Sequence, residues 1–472
     1  MLKLLIAKEL REIIGTTKFA VTFAVCAVLL LLAFYVGARN YQVAQAEYDA
    51  AVTENLNQMA GLTEWGEVDH RVFLPPQPLA VLVNGIANDI GRTVEMRRRG
   101  ELRAENSRFN EDTIYAVFRF LDLDFIFTIV LSLFAILFAY DSINGEKERG
   151  TLRLSFANAV PRDQYLIGKI IGAFLALVIP LLIPILIGCL LLIAMGIPVD
   201  GGEWGRLALI LGAGLLYFTV FLTLSVFISA LTQNSASSFL MLLVVWIFAV
   251  LIIPRAAVLI SGRAIDVPSI DRINFEKSNF QRQQFSDYRQ KTQAYFAQNR
   301  PEGGMGQEFF AQFQEESRKW QEENEAAAEV FNGKLNEDRQ NREQVQQRVA
   351  LNISRLSPAS AFSLAASELA GTSLALRSAF LESVNEYKTT YSTFIEEKTG
   401  DSNAFVRFGQ SNDEEEEEPD PIDPQELPQY QFSVPDTGTL LSRAAIDFGV
   451  LAIFNVLFFA GAFVAFLKYD VR

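Results

Sequence analysis

Six long runs of apolar residues divide this chain of 472 residues and restrict the folds that it can adopt. Each run has at least about the length that a helix needs to cross the hydrocarbon core of a bilayer, roughly 17 to 25 residues. The runs are Phe19–Gly37, Asp124–Tyr140, Leu166–Ile197, Leu207–Ala230, Phe239–Ile260 and Ile446–Leu467. The sequence therefore predicts an α-helical membrane protein with six transmembrane helices and two long, mainly helical extracytoplasmic insertions.

The composition excludes several classes of function. A net charge of −14 argues against nucleic-acid binding, which needs clustered Lys and Arg. His70 is the only histidine, which excludes HExxH motifs and zinc sites with several histidines and argues against a His-based catalytic triad. Cys26 and Cys189 both lie in apolar runs, so a disulfide framework is not expected. The chain also lacks a GxxxxGKS or GxxxxGKT motif, so we expect no enzyme activity and no cofactor in this chain.

Lysine and arginine residues in the short connections predict the orientation of the chain in the membrane. Four of them precede the first apolar run, and five lie in residues 139–169, between the second and third runs. The connection GIPVDGGEWGR on the opposite side contains only Arg206. Both termini and residues 139–169 are therefore predicted to be cytoplasmic. The first run is longer than the apolar part of a usual signal peptide and lacks a good cleavage site, which favours an uncleaved span.

The stretch AYDSINGEKERGTLRLSFANAVPRDQYLIGK, residues 139–169, contains nine ionised side chains. At roughly 3 kcal/mol for each charge, burial at the bilayer centre would cost about 25 kcal/mol, so the stretch lies outside the membrane. Gly150 can end one helix, and Thr151 can cap a short new helix. We expect the new helix to present Leu152, Arg153, Leu154 and Phe156. Such a helix suits docking into the groove of a partner protein.

The second insertion begins with a long helical pattern. Residues 307–356 are rich in Glu, Gln and Ala and carry Phe313, Trp320 and Ala327 at heptad spacing. This pattern predicts a helix of about 75 Å, interrupted near Gly333, whose aromatic residues pack against another helix.

Two further features follow in the same insertion. The stretch RLSPASAFSLAASELAGT predicts a helix capped by Ser357, begun at Pro358 and ended by Gly371. Its small and apolar residues suit a position at the membrane surface or beneath the outer domain. The acidic, proline-rich residues 411–428 have little to bury and predict a flexible linker. They lack the glycine turn and ligand spacing of a calcium loop.

The sequence resembles the permease subunits of ABC type-2 exporters. The resemblance is most specific at EKERGTL, residues 146–152, which matches the E-x-E-x-G-T motif that follows the second span of that family. It continues through Pro161-Arg162 and Gly168-Lys169. The starting sequence LLIAKELREIIGTTK resembles the elbow helix of the family, and SALTQNSASS resembles the turn between its fourth and fifth spans. FLKYDVR and LSPASAFSLAASELAGT resemble the branch with a large insertion before the last span. All six spans are covered, and the resemblance is loose in the two insertions.

The resemblance implies the partners and the coupling site. Two permease chains, identical or related, would form a dimer, and two separate ATP-binding subunits would supply ATP and Mg²⁺. Glu146 and Glu148 would make polar contacts near the ATPase, Gly150 and Thr151 would set the geometry of the coupling helix, and Arg153 would meet the ATPase surface. Leu152 and Arg162 complete the expected ATPase-coupling site. The lipid bilayer and a periplasmic protein are further candidate partners.

These inferences divide the chain into six regions and place it, with several spans, in the bacterial cytoplasmic (inner) membrane. The regions are a cytoplasmic elbow helix at 1–18, a first span at 19–37, an extracytoplasmic segment at 38–123, spans two to five at 124–260 with a cytoplasmic coupling loop at 141–165, a large extracytoplasmic domain at 261–445, and a sixth span with a cytoplasmic tail at 446–472.

Three functions remain open from the sequence. The first is ATP-driven export, with a lipid-like, hydrophobic or peptide substrate favoured over an ion because the spans contain almost no ionisable residues. The second is ATP-driven mechanical work of the outer domain on a periplasmic or envelope partner, without transport. The third, an intramembrane or periplasmic hydrolase, is weak because no nucleophile with a base or metal cluster is evident.

Overall fold

The computed structural model of this chain describes residues 2–65, 68, 70–87, 90–96, 104–105, 122–157, 160–299, 307–399 and 421–468. The chain divides into two compact units. The first unit comprises the chain up to Ile252 and from Arg355 onward, and the second comprises Ile253–Ser354. Of the expected acidic linker, residues 411–420 lie outside the described residues.

Helices dominate the described residues. The α-helices are α1 (Leu2–Ile14), α2 (Thr17–Met59), α3 (Leu123–Phe125), α4 (Ser132–Ala139), α5 (Asn144–Glu148), α6 (Thr151–Ala157), α7 (Arg162–Ala194), α8 (Gly201–Leu231), α9 (Ser235–Trp246), α10 (Ile253–Ala264), α11 (Ile270–Gln298), α12 (Gln307–Ser354), α13 (Pro358–Ala370), α14 (Ala375–Thr399) and α15 (Thr437–Leu467). Two π-helical segments, Ile126–Leu131 and Ile247–Ile252, join α3 to α4 and α9 to α10. Short strands β1 (Arg71–Phe73), β2 (Thr93–Glu95) and β3 (Ala104–Glu105) form one antiparallel sheet in the order β1-β2-β3.

Six helical stretches of the described chain are long and apolar enough to cross a membrane, as the sequence predicts. They are Thr17–Met59, Leu123–Glu148, Arg162–Ala194, Gly201–Leu231, Ser235–Ala264 and Thr437–Leu467. The α-helical membrane architecture with six transmembrane helices is thus confirmed. We number these stretches as spans one to six.

Glycine residues let several spans approach closely. A Cβ atom at Gly188 in span three would lie 2.5 Å from Cδ2 of Phe34 in span one. A Cβ atom at Gly214 in span four would lie 2.3 Å from Cε1 of Phe127 in span two. Small residues bring helices together in this way where lipid replaces water and packing drives association.

Helix α13 lies among the spans rather than on their surface. Its predicted cap Ser357, its first residue Pro358 and its terminating Gly371, with φ +71°, are all as expected. However, Phe362 is fully buried, and its ring packs 5.3 Å from that of Tyr217 in α8 and 5.4 Å from that of Phe127. The run of small apolar residues therefore fits a helix enclosed by other helices.

Side chains at the N-terminal end and in the middle of α13 bond to different spans. Arg355, just before the helix, forms a 2.6 Å ion pair with Asp447 in α15. Ser357 donates to the carbonyl of Ala249 in the π segment of span five. Ser363 donates to a carboxylate oxygen of Asp124 in α3 at 2.6 Å. These bonds fix α13 between spans two, five and six.

A second core lies beyond the C-terminal end of α2 and contains the β-sheet. Met59, Val72 and Val94 pack with the buried face of α14, including Phe380 and Tyr391. The first insertion was predicted to be mainly helical, but α2 ends at Met59 and a sheet follows. Alternating residues in the short strands, such as the RVF of β1, gave too weak a pattern to predict it.

The second unit contains α10 and an antiparallel helical hairpin formed by α11 and α12. Tyr288 in α11 bonds Ser317 in α12 at 2.7 Å, and Phe280 stacks on Phe331 with ring centroids 4.1 Å apart. The predicted packing of Trp320 against another helix is observed, because its ring lies 6.0 Å from that of Tyr295. Helix α12 continues through Gly333 without a break, so the predicted interruption is wrong. A single glycine costs only about 1 kcal/mol in a helix.

Candidate coupling site

The loop between spans two and three folds as the sequence predicts in outline. Helix α5 ends at Glu148, Gly150 adopts φ +73°, and α6 begins at Thr151. The left-handed conformation favours glycine, because a side chain there would be strained. The turn at Gly150 thus separates the end of span two from the short helix α6.

Glu146 is buried and binds three side chains of the same chain. Its Oε1 atom lies 2.9 Å from the Nζ atoms of both Lys8 and Lys169. Its Oε2 atom accepts a 2.8 Å hydrogen bond from the hydroxyl of Tyr165. The carboxylate of Glu146, expected near a partner surface, therefore ties the loop to α1 and α7.

Lys169 connects this carboxylate to a second one. Its Nζ atom lies 2.8 Å from Oε2 of Glu9 in α1, and both side chains are more than nine-tenths buried. Burial raises the pKa of Glu9, and the nearby Lys169 ammonium opposes that shift. Gly168 and Gly172 let α1 approach α7 closely, because Cβ atoms there would lie 2.9 Å and 2.6 Å from side-chain carbons of Leu5 and Glu9. We call Lys8, Glu9, Glu146, Tyr165 and Lys169 the elbow network.

Lys147 and Glu148 hold the facing ends of two other spans. Lys147 donates to the carbonyl oxygens of Ala230 at 3.0 Å and Thr232 at 3.3 Å, at the C-terminal end of α8. Glu148 accepts from the backbone nitrogen and the hydroxyl of Ser235, each at 2.8 Å, at the start of α9. A cation at a helix C-terminus and an anion at an N-terminus both match the helix dipole.

Arg162 joins the loop to span six. Its Nη1 atom donates to the carbonyls of Phe466 at 3.3 Å and Leu467 at 2.8 Å, at the C-terminal end of α15. Its guanidinium also lies 6.0 Å from the centre of the Phe466 ring. The residues expected to serve a partner therefore also hold together the helices of this chain.

Two apolar side chains of α6, those of Leu152 and Phe156, pack against neighbouring helices. Leu152 is only 2 % exposed, so the expectation that it projects toward a partner is wrong for this residue. Phe156 packs on Tyr165 and Phe466, with ring centroids 5.3 Å and 5.6 Å away. Leu152 thus belongs to a small core with Tyr165. The side chain of Leu154 lies outside the described residues.

A polar surface remains on the loop. Glu148, Arg149, Gly150, Thr151 and Arg153 are exposed. Arg149 also donates from Nε to the carbonyl of Gly145 at 3.0 Å. Among the side chains of the loop that the structure describes, the exposed surface is therefore polar and charged rather than a set of apolar knobs. We call these five residues the loop surface.

Sequence reasoning missed most of the elbow network. Lys169 was noted as part of a resemblance, but its partner Glu9 lies 160 positions earlier. The available signal was a lone lysine at the start of a long apolar run, because a charge there needs a partner. The charged sequence of α1 could supply such a partner, and Gly168 and Gly172 allow a helix to pack closely against the start of α7.

Comparison with known proteins identifies the family. The sequence profile of ABC-2 family transporter proteins matches residues 4–471, which is nearly the whole chain. The chain belongs to this family. The resemblance inferred from residues 146–152 is thereby confirmed at the family level. As a member of the ABC-2 family with six apolar helices, the chain is a multi-pass membrane protein.

Two curated relatives match a shorter part of the chain. One, named probable ABC transporter permease protein NosY, from Pseudomonas aeruginosa, is 34 % identical over 133 residues, which are 27 % of this chain and 47 % of the relative. Another of the same name, from Stutzerimonas stutzeri, is 36 % identical over 129 residues, or 26 % of this chain and 46 % of the relative. The chain thus spans about half the length of these curated relatives.

Proposed function

We propose that this chain is the membrane-spanning permease subunit of an ABC transporter and that a separate ATP-binding subunit drives it through the loop after span two. Family membership and the permease names of the two relatives support this proposal. The ATP-binding subunit would hold ATP and Mg²⁺, and this chain would contribute no catalytic group.

One observation carries the proposal: three consecutive residues of the loop bind four different helices. Glu146 reaches α1 and α7, Lys147 reaches the end of α8, and Glu148 reaches the start of α9. A force applied to the loop surface would act on all of these helices together. Closely packed helices transmit small displacements to one another, because their contacts change between discrete arrangements rather than deforming continuously.

The loop surface is the proposed docking site. Arg153 and Arg149 offer planar guanidinium groups, which suit carboxylates of a partner. We place the loop, both termini and α1 on the cytoplasmic side of the bacterial inner membrane, in accord with the distribution of Lys and Arg. Spans five and six are the least buried within this chain, at 22 % and 17 %, and are available for lipid or for a second permease chain.

The cargo is proposed to be lipid-like, hydrophobic or peptidic. Asn455, the main polar side chain of span six, donates to the carbonyls of Leu216 and Leu451 at 3.1 Å and 3.0 Å and so serves helix packing. Asp447 is paired with Arg355. Export of an ion would call for charged groups along a path.

The first experiment asks whether an ATPase binds at the loop surface. The tagged full chain is purified in mild detergent from cells that co-express the neighbouring genes, and the eluate is assayed for a nucleotide-binding subunit and ATP hydrolysis. Arg153→Glu is expected to lower ATPase recovery at least fivefold. Glu148→Arg with Gly150→Pro is a less specific variant, because Glu148 also caps α9.

Arg289→Glu is the matched control, because it makes the same charge change at an exposed residue of α11, on the predicted outer side. It should leave ATPase recovery unchanged. Absence of any ATPase with the wild-type chain, or equal recovery with Arg153→Glu, would remove the coupling role from this loop.

A second candidate function is mechanical work on a periplasmic or envelope partner. It is favoured by the hairpin, since the 48 residues of α12 extend over about 72 Å. Shortening the hairpin between the bonded positions Gln284 and Asn324 separates the two functions. If the work is mechanical, the shortened chain keeps coupled ATP hydrolysis but fails to complement a deletion strain. If export needs only the spans, complementation persists.

A further inference from the structure

A cleft lies where span one changes from apolar to polar residues. It has a volume of about 90 Å³ and is lined by the α2 residues Gly37, Asn40 and Tyr41 and by Asn84, Arg92 and Asp122 from the chain that follows. Val36, which also lines the cleft, and the preceding Tyr35 are 39 % and 50 % exposed. The cleft therefore sits at the level expected for the polar boundary of the bilayer, opposite the side that carries α1.

The wall of the cleft is fixed by close packing. A Cβ atom at Gly37 would lie 2.0 Å from the carbonyl oxygen of Val81, so only glycine allows this segment to reach α2. Leu123 donates from its backbone nitrogen to the carbonyl of Leu82 at 2.8 Å. Thr372 donates to the carbonyl of Val83 at 2.9 Å. The wall is thus attached on both sides, and the cleft is preformed.

Two opposite charges line this cleft. Arg92 is held in place by the carbonyl of Ala87, at 3.4 Å from Nε and 3.3 Å from Nη2. Asp122 accepts from the backbone nitrogens of Asn84 at 3.2 Å and Phe125 at 2.9 Å. Burial lowers the pKa of Arg92 and raises that of Asp122. The nearby carboxylate of Glu47 opposes the shift at Arg92, and both residues are half-buried, so a ligand with complementary charges would add to the contacts that each residue already makes.

We propose that this cleft binds a zwitterion in which a phosphate ester is joined to a primary ammonium, with the phosphate at Arg92 and the ammonium at Asp122. The amides of Asn40 and Asn84 and the hydroxyl of Tyr41 supply further hydrogen-bonding groups. A guanidinium is the preferred group for phosphate oxygens, and a carboxylate suits an ammonium.

Two sources present this chemistry: the headgroup of phosphatidylethanolamine and free phosphoethanolamine. Exposed apolar residues beside the cleft would contact the acyl chains of a lipid. This inference does not depend on the ATPase partner or on export.

Native mass spectrometry of the detergent-purified full chain tests the proposal, with phosphatidylethanolamine or phosphatidylglycerol of the same acyl chains as probes. We expect at least tenfold greater retention of phosphatidylethanolamine by the wild-type chain. Arg92→Gln should remove retention of this lipid. Asp122→Asn keeps a residue that caps helices well and should abolish the preference between the two lipids.

Two further variants distinguish loss of lipid binding from loss of folding. Arg39→Gln is the control, because Arg39 is an exposed residue of α2 that bonds Gln42 and does not line the cleft. It should retain the lipid as the wild type does. Ala44→Phe fills the cleft without changing charge and should remove retention.

Competition with millimolar phosphoethanolamine then distinguishes the sources. Displacement of the lipid by the free compound supports a soluble zwitterion as an equally good ligand, and retention of the lipid supports the headgroup in a membrane. Equal retention of both lipids by the wild type, or loss of retention with Arg39→Gln equal to that with Arg92→Gln, would overturn the proposal.

Discussion

Replacement of Lys169 by methionine should destabilise the protein more than any other single change in the elbow network. The ammonium of Lys169 is 7 % exposed and lies 2.8 Å from Glu9 and 2.9 Å from Glu146. Lys169→Met leaves these two carboxylates buried together, with only the half-exposed Lys8 near them. Removing one partner of a buried ion pair typically costs about 3–5 kcal/mol.

Glu146→Gln should cost less. Lys169 then keeps Glu9 as a partner, so the loss is that of hydrogen bonds to a charged group, about 1.5–3 kcal/mol. Simultaneous Glu9→Gln, Glu146→Gln and Lys169→Met removes all three buried charges. Because a neutral replacement of a buried ion cluster is often tolerated, this triple variant should be more stable than Lys169→Met alone.

Thermal unfolding in detergent measures these differences. We expect Lys169→Met to lower the midpoint by about 3–5 °C, and Glu146→Gln to lower it by about half as much. Lys334→Met is the control, because Lys334 is an exposed residue of α12. The reasoning would be refuted if Lys169→Met unfolded at the same temperature as this control, or if the triple variant were no more stable than Lys169→Met.

Three further predictions concern other parts of the fold. Desolvation lowers the pKa of the buried His70 to about 4, so the folded chain resists a proton that the unfolded chain accepts below about pH 6.5. The free energy of unfolding should therefore fall by about 1.4 kcal/mol per pH unit from pH 6.5 toward pH 4. Amide hydrogen exchange in α14 would measure this fall, and His70→Gln should flatten the pH dependence. Gly214→Ala should cost about 1–3 kcal/mol, measured as a lower unfolding midpoint, because the new methyl group would overlap the ring of Phe127; an unchanged midpoint would mean that the ring has room to move. Trp246→Phe should cost about 1 kcal/mol of stability, because it removes the 2.7 Å hydrogen bond from Nε1 to the hydroxyl of Ser132. If Ser132→Ala costs the same and the double variant costs no more than either single variant, the effect belongs to that bond.

The hydrogen bonds of His70 explain why protonation is resisted. Asn55 donates from Nδ2 to Nδ1 of His70 at 3.3 Å, and its Oδ1 accepts from the backbone nitrogen of Arg71, which fixes the amide orientation. Tyr387 donates its hydroxyl proton to the carbonyl of Pro428 at 2.6 Å, so Nε2 of His70 donates to Tyr387. The ring is therefore neutral, with Nδ1 as an acceptor, and a second proton would remove that acceptor.

The spans could be predicted because each is a local feature. A run of about 20 apolar residues needs no partner elsewhere in the sequence to be recognised. The caps of α13 at Ser357 and Gly371 were also predictable, since capping depends on residues within one turn. The family resemblance was most specific at a motif of seven adjacent residues, and the family is confirmed.

The role of each motif residue was less predictable because it depends on distant contacts. Glu146 and Glu148 have the same side chain two positions apart, yet one is buried against α1 and α7 and the other caps α9. Leu152 fits an exposed docking face by its position in the sequence, but Tyr165 and neighbouring residues enclose it. A pattern of residue types indicates that a loop is important without showing which side chains face outward.

The packing of α15 against α8 has a consequence for biosynthesis. Asn455 bonds the carbonyl of Leu216, which the ribosome makes 239 residues earlier. At about 5–20 residues per second, α8 therefore waits roughly 10 to 50 s for this neighbour. During that interval the hairpin is translated, and the face of α8 that α15 will cover is open to lipid, to insertion factors or to a wrong helix. We expect quality-control proteases to recognise chains that stall within the hairpin.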